Sequence, residues 1–341
     1  MKKPVYETHV QKGLLLNANE NSQNLPASVL NEIKESVDSI MFNRYPDASE
    51  KELLEAYGKA MGLDASMLLA GNGSDQMLGY IIGYYLKEGK TLYTFDPDFS
   101  MYEYYAGNYG ACVKKFEISE EKPFDTEGFI QYGKELSTDM VMFSNPNNPS
   151  GICLPIETIE RIVQAFNNVP VIIDEAYFEF AEETSSIGLI EKYDNLYVTR
   201  TLSKAFGLAG LRVGFLIGNT ENMAELRKSF VPYALNSFSM KAACIVLGHK
   251  DFMEQYVETV KQERKRMIDA VSSFEKIQLY NSQTNFLYGK TSNKEKLLDL
   301  FARQEIVIRN YAGSDAFRIT IGTKEENDRV IEVLRQFEVA E

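Results

Sequence analysis

V-T-R-T-L-S-K-A-F-G-L-A-G-L-R-V-G, residues 198–214, is the stretch on which the reading of this chain turns. The apolar run from Asn195 to Thr199 reads as a strand and ends in a polar turn. Ser203 and Lys204 follow, then a glycine-containing segment, with Arg212 eight residues past the lysine. One lysine in an apolar setting, beside Ser/Thr hydroxyls and an arginine, is the pattern of a reactive amine next to an anion. Taken alone, the same residues equally fit a surface lysine on a loop.

Upstream, strand-like and helix-like runs alternate. Thr91–Phe95, Cys112–Phe116, Met140–Ser144 and Val171–Ile173 read as strands, and Ser100–Tyr109 and Ile156–Phe166 as helices. Several of the strands are unbroken apolar runs. Strands of that kind joined by helical crossovers predict an α/β fold, a mainly parallel sheet with helices on both faces. Before them, Met67–Ala70 is short and apolar, and Met77–Leu86 reads as a helix. Leu30, Ile33, Val37 and Ile40 recur at helical spacing, and Ser49 with Glu52 is a capping-box pattern. Residues 1–28 read as an irregular polar arm.

Past Pro232 the texture changes to a long helix near 251–274, strands at Asn285–Tyr288, Ile306–Arg309 and Phe317–Ile321, and helices near 294–303 and 325–337. This predicts a smaller α+β unit. The expected division is an arm with part of the small domain (1–40), a large domain (41–235) and a small C-terminal domain (236–341). No Pro-, Gly- or Ser-rich linker separates the halves, so they should pack closely.

Composition is that of an ordinary globular protein, 341 residues long, 44% apolar and 25% charged. A net charge of −13 opposes nucleic acid and anionic membrane surfaces. The longest apolar candidate, residues 80–86, is far shorter than the roughly 20 residues of a membrane helix. Cys112, Cys153 and Cys244 form no paired motif, and His9 and His249 are too few for a cluster. No metal site is expected, and a reducing cytoplasm fits.

Open α/β sheets bind ligands at the carboxyl ends of their strands. Asp174 follows V-I-I, Asn148 lies beyond V-M-F-S, Lys204 beyond L-Y-V-T, and G-N-G-S follows M-L-L-A. Four polar motifs at that end predict one shared crevice. In isolation Asp174 reads as a cap on the next turn, and Asn148 as turn chemistry within N-P-N-N-P-S-G.

The lysine segment resembles that of the fold type I aminotransferases dependent on pyridoxal phosphate (PLP), and within them the histidinol-phosphate aminotransferase group. Further matching pieces stand in order: L-N-A-N-E-N (16–21), N-R-Y-P-D (43–47), G-N-G-S-D (71–75), S-N-P-N-N-P-S-G (144–151), D-E-A-Y-F-E-F (174–180) and F-R-I-T-I-G-T (317–323). The resemblance covers nearly the whole chain. It implies that Lys204 carries PLP through its amine and later moves the substrate proton, which requires a neutral amine. Asp174 would pair with the ring nitrogen, and Tyr177 and Asn148 would donate to the phenolate oxygen. Gly73, Ser74 and Asp75 at a helix start, with Ser203 and Arg212, would cradle the phosphate. Tyr45 would reach that phosphate from the second subunit of a homodimer with a shared site. Phe99 would stack on the ring, with Tyr102 as the near alternative.

For the small-molecule substrate the resemblance implies Arg318 for the anion, with Arg309 as a second candidate and Glu20 and Asn21 in a covering arm. Alternation sets Arg318 on the opposite face from Phe317 and Ile319. Two positions depart from the family pattern: Ser22 replaces a proline, and Gln76 a glutamate. The implied reaction is transamination between histidinol phosphate and 2-oxoglutarate. Aromatic amino acid transamination, threonine-phosphate decarboxylation and a PLP-binding regulatory module are the alternatives, the last opposed by the acidic charge.

Overall fold

A computed structural model describes residues 12–340. His9 and the first eleven residues of the arm lie outside that range. The strands are β1 (Leu14–Leu16), β2 (Leu68–Asn72), β3 (Thr91–Asp96), β4 (Cys112–Glu117), β5 (Met140–Ser144), β6 (Val171–Asp174), β7 (Leu196–Thr201), β8 (Val213–Ile217), β9 (Gln278–Leu279), β10 (Phe286–Lys290), β11 (Ile306–Asn310) and β12 (Ala316–Thr320). Seven form one sheet in the order β2-β8-β7-β6-β5-β3-β4. Every pairing from β7 to β4 is parallel, while β8 is antiparallel to both neighbours. A smaller sheet runs β1-β11-β12-β10-β9.

The central strands are buried along their whole length, as the apolar runs predict. Side chains alternate across the sheet. Val141, Phe143, Val171, Ile173 and Val198 join the apolar cluster on one face. Met140, Met142, Ile172 and Tyr197 join the cluster on the other. The first cluster continues through Phe286, Phe317 and Val330, so the two sheets share one core.

Register decides what the carboxyl ends present. Ser144 lies opposite Asp174, and Asp174 opposite Thr199. Three polar residues from three strands therefore form one row at the rim. Beside it, Gly71 pairs with Gly214, and the chain after β2 turns at Gly73 (φ 84°) into the helix Ser74–Tyr85. A Cβ on Gly214 would sit 2.1 Å from the Ser74 nitrogen.

The structure corrects several expectations. Within the arm, Leu14–Leu16 is a strand parallel to β11, with Leu14 opposite Ile306; three leucines are too few to show a period. No capping box forms at Ser49. The Asp47 carboxylate takes the Ser49 amide (2.9 Å) and hydroxyl (2.8 Å), and Glu50, at φ 52°, precedes the helix Lys51–Met61. β8 and the helices Thr126–Glu135, Thr220–Ser229 and Ser237–Leu247 add to the elements expected from the sequence, and the three helices open on side-chain caps from Asp125, Asn219 and Asn236.

Gly214→Ala tests the backbone approach beside Ser74. Overpacking against an immovable amide is expected to cost ~1–3 kcal/mol, read as a lower urea midpoint. An unchanged midpoint would show that the β8 contact yields freely.

Candidate active site

Asp174 ends β6 at the bottom of a cleft of about 240 Å³ that opens over the carboxyl ends of the large sheet. It is 3% exposed. Thr199 Oγ1 donates to Oδ1 at 2.7 Å and Tyr102 Oη to Oδ2 at 2.8 Å. Thr199 arrives through the register row, and Tyr102 from the helix Met101–Asn108. Burial pushes the carboxyl up to about 6, and the two hydroxyls hold it down. No cation among the described residues forms an ion pair with it.

Lys204 follows β7 by three residues and lines the same cleft. Its Nζ donates to the Ala18 carbonyl at 3.0 Å and lies 5.6 Å from the centre of the Tyr177 ring. Desolvation first, then the Arg318 charge, lowers its pKa to about 8. The half-buried amine is thus far closer to neutral than an ordinary lysine. Tyr177 is buried, and its hydroxyl accepts from Asn19 Nδ2 at 2.9 Å, which leaves its own proton free to donate.

At the other end stands the start of helix Ser74–Tyr85. Arg212 Nη2 bonds Asp75 at 2.9 Å, and Nη1 reaches Ser203 Oγ at 3.5 Å. A Cβ on Gly73 would meet that guanidinium at 2.5 Å, so glycine serves here for space as well as for its positive φ. Helix amides, a serine hydroxyl and an arginine converge as an anion site. Gln76, the charge-losing departure, bonds the Asn72 amide through Oε1 at 2.6 Å.

Arg318 enters from β12 of the small sheet and is 7% exposed. Nη1 donates to Asn148 Oδ1 and Nη2 to the Asn17 carbonyl at 2.9 Å. The guanidinium lies 4.9 Å from the Phe286 ring, and among the described residues its buried Nε has no hydrogen-bond partner. Asn148 Oδ1 is taken by this arginine, leaving Nδ2 as its donor. Arg309 pairs across the strands with Arg318, lies 6.0 Å from the Tyr311 ring and also lines the cleft.

Phe99 lines the cleft with its ring edge-on to Tyr102, at 5.7 Å between centroids. Tyr102 itself is fully buried and bonded to Asp174, so the stacking alternative is spent. Four expected residues do not line the cleft: Gly73, which lies behind the Arg212 guanidinium, and Glu20, Asn21 and Tyr45. Glu20 is exposed, and Asn21 bonds the Ala205 carbonyl at 3.3 Å; Asn17, Ala18 and Asn19 of the same motif face the cleft instead. Tyr45 is 82% exposed and stacks on Tyr233 at 4.9 Å.

Sequence reasoning missed Asp98, Thr199 as a donor, Asn17, and Tyr311. Asp98 stands beside Phe99 in D-P-D-F-S, and Thr199 closes the apolar run before the lysine turn. Their roles depend on register and loop packing, which no motif spells out.

The family described as Aminotransferase class I and II matches residues 11–334. The histidinol-phosphate aminotransferase of Clostridium novyi is 34% identical over 323 residues, covering 94% of this chain and 90% of that protein. That of Pyrococcus furiosus is 35% identical over 324 residues, covering 94% and 91%. Among solved structures, the histidinol-phosphate aminotransferase of Clostridium acetobutylicum has a TM-score of 0.86 at 27% identity, covering 95% of this chain and 99% of that one. The L-threonine-O-3-phosphate decarboxylase of Porphyromonas gingivalis has a TM-score of 0.81 at 21% identity, a likeness of fold alone. A match over nearly the entire chain, with full-length relatives, makes this protein a member of the class I and II aminotransferase family.

Proposed function

We propose that this enzyme uses PLP to exchange an amino group between histidinol phosphate and 2-oxoglutarate, forming imidazole acetol phosphate and glutamate, as a step of histidine biosynthesis. The single observation that carries the cofactor is one cleft holding three complementary charge positions. These are a buried carboxylate with no cation, an amine shifted toward neutrality, and an anion cradle at a helix start. A protonated pyridine ring, an aldehyde and a phosphate match them in turn. Bound, PLP supplies an electron sink for the pair left when a substrate Cα–H bond breaks.

In this reading Lys204 Nζ carries the cofactor and, once released by the substrate amine, moves the proton from the substrate carbon. Asp174 holds the proton of the ring nitrogen. Tyr177 Oη and Asn148 Nδ2 donate to the phenolate oxygen. Ser203, Arg212 and the amides of Ser74 and Asp75 bind the phosphate. Phe99 offers the ring a flat apolar wall. Arg318 grips the substrate carboxylate or phosphate with its fork, and Arg309 stands beside it. A cytoplasmic setting fits the three free thiols.

A homodimer with a shared site belongs to the same reading. Met41, Phe42, Tyr45, Val231 and Tyr233 are all exposed, and the Tyr45–Tyr233 stack joins the two stretches into one apolar patch. Among the described residues, no helix is long and apolar enough to cross a membrane.

Cofactor loading should follow the Lys204 amine. Its lowered pKa means that the neutral form grows as pH rises and dominates above about 8. The loading rate should climb with pH and level off there, whereas an ordinary lysine would still be climbing near 10. Borohydride trapping followed by mass analysis should find the cofactor on Lys204. Attachment at another lysine would remove the assignment.

Substrate choice is tested by parallel spectral and kinetic titration with histidinol phosphate, phenylalanine and threonine phosphate. Histidinol phosphate should exceed phenylalanine in kcat/KM by on the order of 10²-fold, given buried charge-assisted bonds to its phosphate. Arg318→Lys should harm both half-reactions. A preference for phenylalanine would hand the reading to aromatic transamination.

Sedimentation of the Tyr45→Ala variant checks the shared site. It should release PLP faster than the parent, with the dimer weakened or intact. Full activity of the parent as a dilute monomer would overturn the proposal.

A further inference from the structure

Asp98 is a second, half-buried carboxyl in the cleft wall, and nothing in the reaction proposed above uses it. It comes from the loop after β3 and reaches the end of β5. Four protein donors converge on it. Oδ1 accepts from the Phe99 amide at 2.7 Å and from Ser144 Oγ at 2.5 Å. Oδ2 accepts from the Ser144 amide at 3.2 Å and from Thr94 Oγ1 at 3.3 Å. Burial raises the carboxyl, and the Ser144 and Phe99 donors oppose that rise.

The Ser144 hydroxyl is fully committed. It accepts from the Asn148 amide at 2.9 Å and from Asn147 Nδ2 at 3.3 Å. A hydroxyl has two acceptor sites and one proton. With both acceptor sites filled, its proton is given to Asp98 Oδ1. Asn148 in turn holds Arg318 through Oδ1. One unbroken chain of bonds therefore runs from the Phe99 backbone through Asp98, Ser144 and Asn148 to the Arg318 guanidinium. It joins the aromatic wall of the cleft to the arginine of the small sheet.

We propose that Asp98 is a positioning residue that sets, through one carboxyl, both the Phe99 wall against the cofactor and, by way of Ser144 and Asn148, the seat of Arg318 for the substrate anion. The chain branches at Ser144. Cutting it there should disturb the Asn148 end, and with it the seat of Arg318, more than the Phe99 wall, and cutting it at Asp98 should disturb both ends. Asp98→Asn keeps the size of the side chain but sets an amide donor in place of one oxygen. The Ser144 amide or the pair at Oδ1 then faces a donor, and a buried N–H or O–H is left without an acceptor.

The inference rests on the proposed function, and the measurements separate the two. PLP affinity is measured without substrate by absorbance titration, and KM and kcat for 2-oxoglutarate on the loaded enzyme. Ser144→Ala should raise KM on the order of tenfold, the effect of one lost buried hydrogen bond, with a smaller loss of PLP affinity than Asp98→Asn gives, because Asn148 is only one of several groups that would hold the cofactor. Asp98→Asn should weaken PLP affinity and raise KM, each on the order of tenfold. A parent that binds no PLP overturns the proposed function and this inference with it. A parent that binds PLP and transaminates, with KM unmoved in both variants or with PLP affinity falling equally in both, overturns the inference alone. If Asp98→Asn does not fold, Ser144→Ala decides: a rise in KM larger than its loss of PLP affinity supports the branch, and any other pattern overturns it.

Discussion

A carboxylate kept out of water at the bottom of an open cleft is the constraint around which this structure is arranged. Taking an ion out of water costs several kcal/mol even after the surroundings relax. Asp174 recovers part of that cost from the hydroxyls of Thr199 and Tyr102, one on each oxygen. The remainder is visible in its raised pKa. Such a group is poised to gain from a cation delivered by a ligand. Each supporting hydroxyl needs its own scaffold: Thr199 needs the parallel register of β6 and β7, and Tyr102 needs a helix packed on the sheet's second face.

One residue beyond the row, the polarity is managed differently. Glu175 and Arg200 follow Asp174 and Thr199 and turn away from the cleft. Arg200 Nη2 lies 2.7 Å from Glu175 and Nη1 3.0 Å from Glu179, with all three side chains nearly closed to solvent. The guanidinium also covers the Phe178 ring at 4.6 Å. This cluster pairs its charges internally, although Glu179 Oε2 has no hydrogen-bond partner among the described residues, while no described cation pairs with Asp174. Adjacent positions on the same strands therefore do opposite things, because alternation sends them to opposite faces.

The cleft is closed by the small sheet as well as the large one. Arg318 crosses from β12 to Asn148, and Asn19 and Asn17 of the arm bond Tyr177 and Arg318. The shared apolar core makes these crossings firm. Lys204 feels the consequence directly, since Arg318 is the largest charge acting to lower its pKa. The electrostatics of the amine thus depend on a residue 114 positions away in sequence, counted from 204 to 318.

Local chemistry was legible in the sequence alone. Apolar runs marked β3, β5, β6 and β7 because a strand buried on both faces has few polar positions to confuse it. Asp174, Tyr177, Asn148, Lys204, Arg212 and Arg318 could be named as one group because each motif ends a strand at the same edge or matches a family pattern. The short strands were not legible: β1 is three leucines, and β8 hides inside the lysine motif. Nor were the partnerships. That Thr199 and Tyr102 support Asp174, that Asp98 ties Phe99 to Ser144, and that Asn17 and Asn19 rather than Glu20 and Asn21 face the cleft all follow from register and sheet-to-sheet packing. Residue types and their spacing determined which chemistry the chain carries. Tertiary structure decided which groups share a hydrogen bond, since burial and pairing are set by neighbours far apart in sequence.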